Sequence, residues 1–279
     1  MRGILKIGIL IIGTILLTGC GADKALKKAD AFYALGEYYD AAAQYKKAYA
    51  QTPAKEKAKR GELSAKMAVC YRRTNATSKA IAAYNNVIRY KKADSLTHLY
   101  LAQQLMKNGS YKDAAKNFQL AIDTLSKCAK NDYLTLARNG LKAARQAPDW
   151  KKEGSAYTIK RMELFNSRRA EYSPMLAGED NDILYFTSTR NEAQGDEYSG
   201  ITGAKAADIF FSQKDDKEKW SRPQSIDSEL NTDFDEGACA FSPDGRTMYL
   251  TQCVVDANYP RFATIVASNR SDASWSKAT

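Results

Sequence analysis

The cysteines, a single histidine and two acidic clusters are the residues of this 279-residue chain whose types could do chemistry. A cysteine thiolate is a nucleophile and a metal ligand, but Cys70, Cys128, Cys239 and Cys253 follow no zinc spacing. Cys239 and Cys253 fall in one segment rich in β-formers. Either a disulfide between them or two buried thiols fits that placement. His98 has no Ser/Asp constellation and no second histidine to work with, so it reads as structural or solvated. Asp180/Asp182 and Asp233/Asp235/Glu236 carry the oxygen ligands that calcium takes, yet their spacing makes no calcium loop. Turn capping and solvation are what they imply. No Gly-rich phosphate loop, zinc signature or nucleophile elbow is present. The sequence therefore offers no catalytic residues, no metal site and no cofactor.

The fifth cysteine is different. Arg2 and Lys6 make a basic start, and 7–17 is apolar except for Gly8, Gly13 and Thr14. That run is shorter than the roughly 18–20 residues needed to cross a bilayer, so residues 1–20 read as an export signal. Leu17-Thr18-Gly19-Cys20 resembles the lipobox of bacterial lipoproteins. The resemblance implies that Cys20 receives diacylglycerol and becomes the first residue of the mature chain. Each buried CH₂ stabilises membrane residence by about 0.8 kcal/mol, so several acyl chains anchor firmly.

The elements behind Cys20 divide by charge. Residues 22–170 hold 30 Lys+Arg against 13 Asp+Glu, whereas 171–279 hold 10 against 19. A domain boundary near residue 170 accounts for this shift, which coincides with a change in aromatic and β-branched content. A basic half attracts nucleic acid, anionic lipid or acidic protein. Export excludes nucleic acid as a partner.

The basic half is an internal repeat. Ala29, Ala68 and Ala102 lie 39 and 34 residues apart, and so do Ala41/Ala80/Ala114, Tyr45/Tyr84/Phe118, Ala48/Val87/Ala121 and Phe32/Tyr71/Leu105. Gly36 and Gly109 share one register, where the second copy has Asn75. Small alanines at the crossings let two helices approach, an aromatic fills the gap beside them, and glycine serves the tight turn. This pattern resembles the tetratricopeptide repeat, with two helices per copy. It implies an α-solenoid over 21–148, with a longer loop around 53–60, a capping helix over 128–145 and a linker helix over 149–170. By the family pattern, Tyr33, Arg72, Gln103 and Met106 face a peptide groove.

After residue 170 short strands replace helices. Ile183–Ser188, Asp208–Ser212, Ala238–Phe241, Thr247–Thr251 and Phe262–Ala267 read as strands, and Ser242-Pro243-Asp244-Gly245 is a hairpin turn. Here too a repeat shows. Tyr172-Ser173-Pro174 to Tyr185-Phe186-Thr187 parallels Phe241-Ser242-Pro243 to Tyr249-Leu250-Thr251. Asp208-Ile209-Phe210 to Trp220-Ser221 parallels Thr264-Ile265-Val266 to Trp275-Ser276. The segment from Phe241 to Tyr249 resembles the signature of WD40-like, or PD40, propeller blades. It implies that 171–279 is a β-propeller of about two blades. Propellers close with about four to eight, so further blades are expected from a longer chain, or else from another one.

A lipobox, tetratricopeptide repeats and PD40 blades together resemble an α + β multidomain architecture of Bacteroidetes outer-membrane lipoproteins of the OmpA family. In those proteins an OmpA-like domain follows and binds peptidoglycan. The resemblance implies a non-enzymatic scaffold, lipid-anchored through Cys20 and holding envelope proteins, as in the type IX secretion and gliding apparatus. Peptidoglycan would be reached only through a domain beyond these residues. No acidic run follows Cys20, and Gly21-Ala22 carry no retention aspartate, which points to the periplasmic face of the outer membrane. Two other readings stay open: a ligand-binding or sensory propeller lipoprotein, and a hydrolase whose propeller guards a catalytic domain.

Overall fold

In a computed structural model, residues 21–127, 132–195, 198–226, 229–254, 263–271 and 274–279 are described. Leu17, Thr18, Gly19, Cys20, Cys128 and Phe262 lie outside them. Among the described residues no helix is long and apolar enough to cross a membrane. The chain forms two compact units that part between Tyr157 and Thr158.

The first unit is all helix. Helix α1 covers 21–34, followed by α2 (Tyr38–Gln51), α3 (Lys57–Arg73), α4 (Thr77–Arg89), α5 (Thr97–Lys107), α6 (Tyr111–Leu125) and α7 (Asp132–Glu153). Consecutive helices pack pairwise along the chain, and α7 closes against α5 and α6. The alanine series explains the close packing: Ala29, Ala68 and Ala102 in the first helices and Ala41, Ala80 and Ala114 in the second are fully buried. Tyr45, Tyr84 and Phe118 are buried beside them in one continuous core. A lone hairpin leaves its apolar stripe bare, so stacking is what makes each one stable.

One turn chemistry recurs. Gly36, Asn75, Lys91 and Gly109 all have positive φ at helix ends. At each, two hydrogen bonds run back over the last turn: Gly36 N–H to Tyr33 O and Glu37 N–H to Phe32 O, then Asn75 to Arg72 and Ala76 to Tyr71, Lys91 to Ile88 and Lys92 to Val87, Gly109 to Met106 and Ser110 to Leu105. This is the left-handed cap that satisfies otherwise orphaned carbonyls. Asn75 therefore does the work of Gly36 and Gly109, since asparagine tolerates this conformation better than most side chains.

Three expectations need correction here. The extra residues between the first two hairpins do not lengthen a loop: Lys57–Arg60 are the first turn of α3, and only 52–56 connect the helices. That turn is useful, because Arg60 stacks on Tyr49 at 4.2 Å and Gly61 lets Tyr90 and Lys92 approach. The capping helix is longer than 128–145 and runs through Pro148 to Glu153. The linker helix over 149–170 does not exist beyond residue 153. Gly154 has φ +79°, and the 3.6-residue apolar period is missing: Ile159, Met162 and Leu164 are exposed while Phe165 alone is buried. That anchor belongs to the second unit, where Arg190 Nη2 donates to Phe165 O at 2.6 Å.

The second unit holds two antiparallel sheets. In the first, β1 (Glu171–Ala177), β2 (Ile183–Ser188), β3 (Asp208–Gln213) and β4 (Gln224–Ser225) neighbour in chain order. In the second, β5 (Asp235–Phe241), β6 (Thr247–Cys253) and β7 (Thr264–Asn269) do the same. Thr279 exchanges two backbone hydrogen bonds with Ala267, as Gln224 pairs with Phe211 in the first sheet. Lys214 bridges to Trp220 where Arg270 bridges to Trp275. Ser212 Oγ donates to Ser221 O where Ser268 Oγ donates to Ser276 O. The two sheets are thus copies of one design.

The ladder corrects the register of that repeat. Leu176 opposes Leu184 as Phe241 opposes Met248, and Tyr172 opposes Thr187 as Gly237 opposes Thr251. Leu176, not Tyr172, is therefore the counterpart of Phe241. Each first strand is also bulged just after Tyr172 and Gly237, at Ser173 (φ +51°) and Ala238 (φ +46°).

Candidate protein-binding face

Tyr33, Arg72, Gln103 and Met106, the residues expected at a groove, sit on the first helices α1, α3 and α5, in the turns leading to the left-handed caps. Tyr33 is exposed, while Arg72, Gln103 and Met106 are half-buried. The caps hold these turns to the start of the next helix, and that contact gives the side chains their neighbours. The Tyr33 ring meets Tyr38 edge-on at 5.6 Å between centroids. Arg73 lies over the same Tyr38 ring at 5.6 Å, joining the first hairpin to the second. Arg72 stacks on Tyr100 of α5 at 4.1 Å, joining the second to the third. Lys107 Nζ donates to Asn75 Oδ1 at 2.9 Å across the same junction. Met106 packs against the helical core. Through Tyr38 and Tyr100 the structure links Tyr33, Arg72 and α5 into one contact chain.

Cations of this unit meet carboxylates, rings or both: Lys66 pairs with Asp30 and also lies over Tyr45, and Arg60 and Arg89 lie over Tyr49 and Tyr90. Lys59, Lys66 and Lys92 are paired with Asp23, Asp30 and Glu62. Arg72 and Arg73 have no carboxylate partner among the described residues and lie on aromatic faces instead. A guanidinium over a ring is stabilised by about 0.5–2 kcal/mol, stays charged at every physiological pH, and keeps its planar fork of donors in a fixed direction. Burial pushes the hydroxyls of Tyr84 and Tyr100 up, and the Arg72 charge opposes that rise in both.

Asp30 ties the first two hairpins together. Its Oδ1 accepts from Tyr45 Oη and from Lys66 Nζ, each at 2.6 Å. Burial raises this carboxyl, but the Lys66 and Tyr45 hydrogen bonds outweigh it and hold the group below the ordinary range. Burial and Asp30 push the Tyr45 hydroxyl up in turn. None of these pairings has a short-range signature in the sequence. Arg72 and Tyr100 are joined only by the stacking of hairpins.

The other chemistry-bearing residues are occupied structurally. His98 Nδ1 shares a hydrogen bond with Asn117 Oδ1 at 2.9 Å. Cys70 and Cys239 are buried free thiols, so the Cys239–Cys253 bridge is not formed. Burial pushes the Cys70 thiol up to about 12 and that of Cys239 to about 11. Glu236 accepts from Thr232 N–H, Thr232 Oγ1 and Gln252 Nε2, and Asp235 accepts from Ala207 N–H. Asp208 is the exception. It is fully buried, its Oδ2 accepts from Gln194 N–H at 2.7 Å, and its Oδ1 has no partner. Burial lifts it to about 7, with Glu236 and Asp235 adding to the rise. Among the described residues no group of His, Cys, Asp and Glu could hold a metal ion. Ser242, Pro243, Asp244 and Gly245 form the β5–β6 turn. Asp244 Oδ1 accepts from Ser242 Oγ and Arg246 N–H, and Gly245 takes φ +67°.

No protein-family model and no curated protein matches the chain. Among solved structures, it is similar to the crystal structure of the Sgt2 TPR domain from Aspergillus fumigatus, with 17% identity, coverage of 50% of this chain and 87% of that one, and a TM-score of 0.37. The hairpins themselves, not this likeness, define the helical repeat.

Proposed function

We propose that this chain is a non-enzymatic scaffold whose stacked helical hairpins hold an acidic segment of a protein partner. The observation that carries this reading is the adjacent pair Arg72 and Arg73, each lying over an aromatic ring of another helix and without a carboxylate partner among the described residues. A rigid guanidinium fork binds carboxylates in two-point fashion, and fixing it beforehand removes part of the ordering cost of binding. The finer reading adds the Leu17–Cys20 lipobox as a lipid anchor on the periplasmic face of the outer membrane. It adds a propeller built from repeats of the observed sheet, and a place in an envelope complex such as type IX secretion, gliding or a peptidoglycan-linked assembly.

Two substitutions test the two levels separately. Cys20→Ala should move the protein from the membrane fraction to the soluble one. A variant that stayed in the membrane and kept every partner would end the anchored reading. Arg72→Ala together with Arg73→Ala should lower partner recovery in pull-downs without shifting the thermal midpoint of the helical signal by more than a few degrees. Undiminished recovery would end the scaffold reading at this face.

A further inference from the structure

The helical hairpins have two ends, and Arg72 and Arg73 occupy only the capped one. Contacts between helices define the other. A Cβ on Gly21 would lie 3.4 Å from the Gln51 amide, so α1 begins where α2 finishes. Asp23 pairs with Lys59 at 2.8 Å, which sets the start of α3 beside them. Gly61 sits against Tyr90 and Lys92, and the Tyr49 and Tyr90 hydroxyls lie 3.1 Å apart, which adds the end of α4. Cys20 is the residue before Gly21. Acyl chains on Cys20 would therefore bring this end of the unit, not the Arg72 end, to the bilayer.

Residues 21–24, 49–62 and 89–97, which make up this end, hold eight Lys+Arg against four Asp+Glu. Most of these acids are engaged. Asp23 and Glu62 face Lys59 and Lys92, and Asp94 accepts from Leu96 N–H and Thr97 Oγ1. Lys24, Lys55, Lys57, Arg60, Arg89 and Lys91 have no ion-pair partner among the described residues. Two of the six are held in place. Arg60 lies over the Tyr49 ring at 4.2 Å, and its buried Nε has no hydrogen-bond partner. Arg89 lies over the Tyr90 ring at 4.9 Å and donates from Nη2 to Tyr90 Oη at 3.1 Å. Two linked hydroxyls thus stand beside two guanidinium groups. The Tyr49 hydrogen bond, helped by Arg89 and Arg60, holds the Tyr90 hydroxyl below its ordinary range.

We infer that this end of the helical unit rests on anionic lipid head groups, with Arg60 and Arg89 taking lipid phosphates and the surrounding lysines adding attraction. The inference rests on the Cys20 anchor of the finer reading. A guanidinium fork meets phosphate in two-point fashion, and tyrosine suits a boundary that is apolar on one side and wet on the other. At physiological ionic strength attraction reaches only about 8 Å, so charge acts where the chain already touches the surface. Arg72 lies twelve residues beyond Arg60 on α3, roughly 18 Å along the axis, and stays clear of the lipid. Acyl chains alone would let the unit swivel. A basic foot holds α3 upright and turns Arg72 and Arg73 away from the bilayer. An acidic protein segment would meet the same charges, but it would have to enter between the unit and the membrane.

Residues 20–279 carrying Cys20→Ala are the mature chain without acyl groups, so vesicle sedimentation reads the surface apart from the anchor. Phosphatidylcholine vesicles with about 30% phosphatidylglycerol should bind the chain, and phosphatidylcholine alone, or either vesicle in about 0.5 M salt, should not. Lys57→Gln with Lys91→Gln, both at exposed side chains, should weaken binding about thirtyfold, at about 1 kcal/mol for each basic residue. Lys112→Gln with Lys116→Gln removes the same charge from α6, toward the capped end, and should weaken it less than about threefold. Arg60→Gln with Arg89→Gln should match or exceed the loss at Lys57 and Lys91, with circular dichroism confirming the fold; should that variant unfold, the exposed lysines still decide. Indifference to anionic lipid, or equal losses in the two lysine variants, would overturn the inference. So would soluble polyglutamate that binds the chain more tightly than the vesicles do and loses its hold in the Lys57 and Lys91 variant. Indifference to anionic lipid in a chain that Cys20 anchors would end this inference alone, whereas failure of the anchor on fractionation would leave a positive vesicle result standing.

Discussion

Gly140 on α7 lies flat against the Phe118 ring of α6, and replacing it with alanine measures how tightly the last helix seats. An alanine Cβ there would fall 2.4 Å from both Phe118 Cε1 and Cζ and 2.9 Å from Cδ1. Carbon atoms pack at about 3.5–4.0 Å, so the ring or the helix must retreat by roughly 1 Å. Phe118 is buried in the helical core, among the side chains that a shift of its ring would disturb. Overpacking of this kind costs about 1–3 kcal/mol, and a displacement this large belongs at the upper end. Alanine in place of glycine within a helix returns about 1 kcal/mol. The net expectation is a loss of about 1–2 kcal/mol. Urea unfolding followed by helical circular dichroism reads it as a lower midpoint with an unchanged slope. In a Phe118→Leu background the ring is gone, and the same Gly140→Ala change should raise the midpoint. Stabilisation by Gly140→Ala in the parent chain would refute the seating of α7 on Phe118.

Asp208→Asn should make the β unit more stable above neutral pH and close to the parent below pH 4. The sign follows from the raised carboxyl. Between its unfolded value near 4 and its folded value of about 7 the native state holds a proton that the unfolded state has lost, so parent stability falls as pH rises through that window and levels off above it. A flat difference from acid to alkaline pH would remove the buried carboxyl from the account. Asp30→Asn and Tyr45→Phe should each cost on the order of 1 kcal/mol, and the double variant should cost less than their sum; strict additivity would mean that Asp30 and Tyr45 do not act as one unit. Cys70 and Cys239 should resist iodoacetamide at pH 8 in the native chain and react on unfolding, read by peptide mass spectrometry, since buried thiols with raised values supply little thiolate. Rapid native labelling of Cys70 would show that the helical core opens readily.

The helical half was legible because its information is periodic. Five residue series share the same two spacings; four map onto buried positions, and in the fifth Phe32 and Tyr71 pack half-buried against the same core. Asn75 looked like a lapse in the pattern, yet it takes the left-handed turn of Gly36 and Gly109. Where two explanations had the same sequence footprint, reading failed. Extra residues between repeats suit either a longer loop or a longer helix, and Arg60 stacking on Tyr49 decided for the helix. The segment 149–170 read as a linker helix, but of the apolar residues past 153 in it only Phe165 finds a core to bury in. In the β half, the shared Ser-Pro dipeptides of 173–174 and 242–243 set a false register. The true alignment rests on bulges at Ser173 and Ala238, which are backbone events without a residue signature. The guanidinium face was half-visible: Arg72 was among the expected groove positions, whereas Arg73 over Tyr38 and the Arg72–Tyr100 stack depend on hairpins meeting in space.

The α1–α3 ion pairs also bear on how this chain would carry force. Residue 21 is already helical, so a tether at Cys20 would deliver a pull directly into α1. Asp23–Lys59 and Asp30–Lys66 clamp that helix to α3 at points seven residues apart, roughly 10 Å along the axis at 1.5 Å per residue. A load along α1 would shear both clamps at once instead of peeling them in turn. Bonds that share strain in this way yield later than the same bonds opened singly, so the first hairpin would resist a pull applied at its N-terminal end.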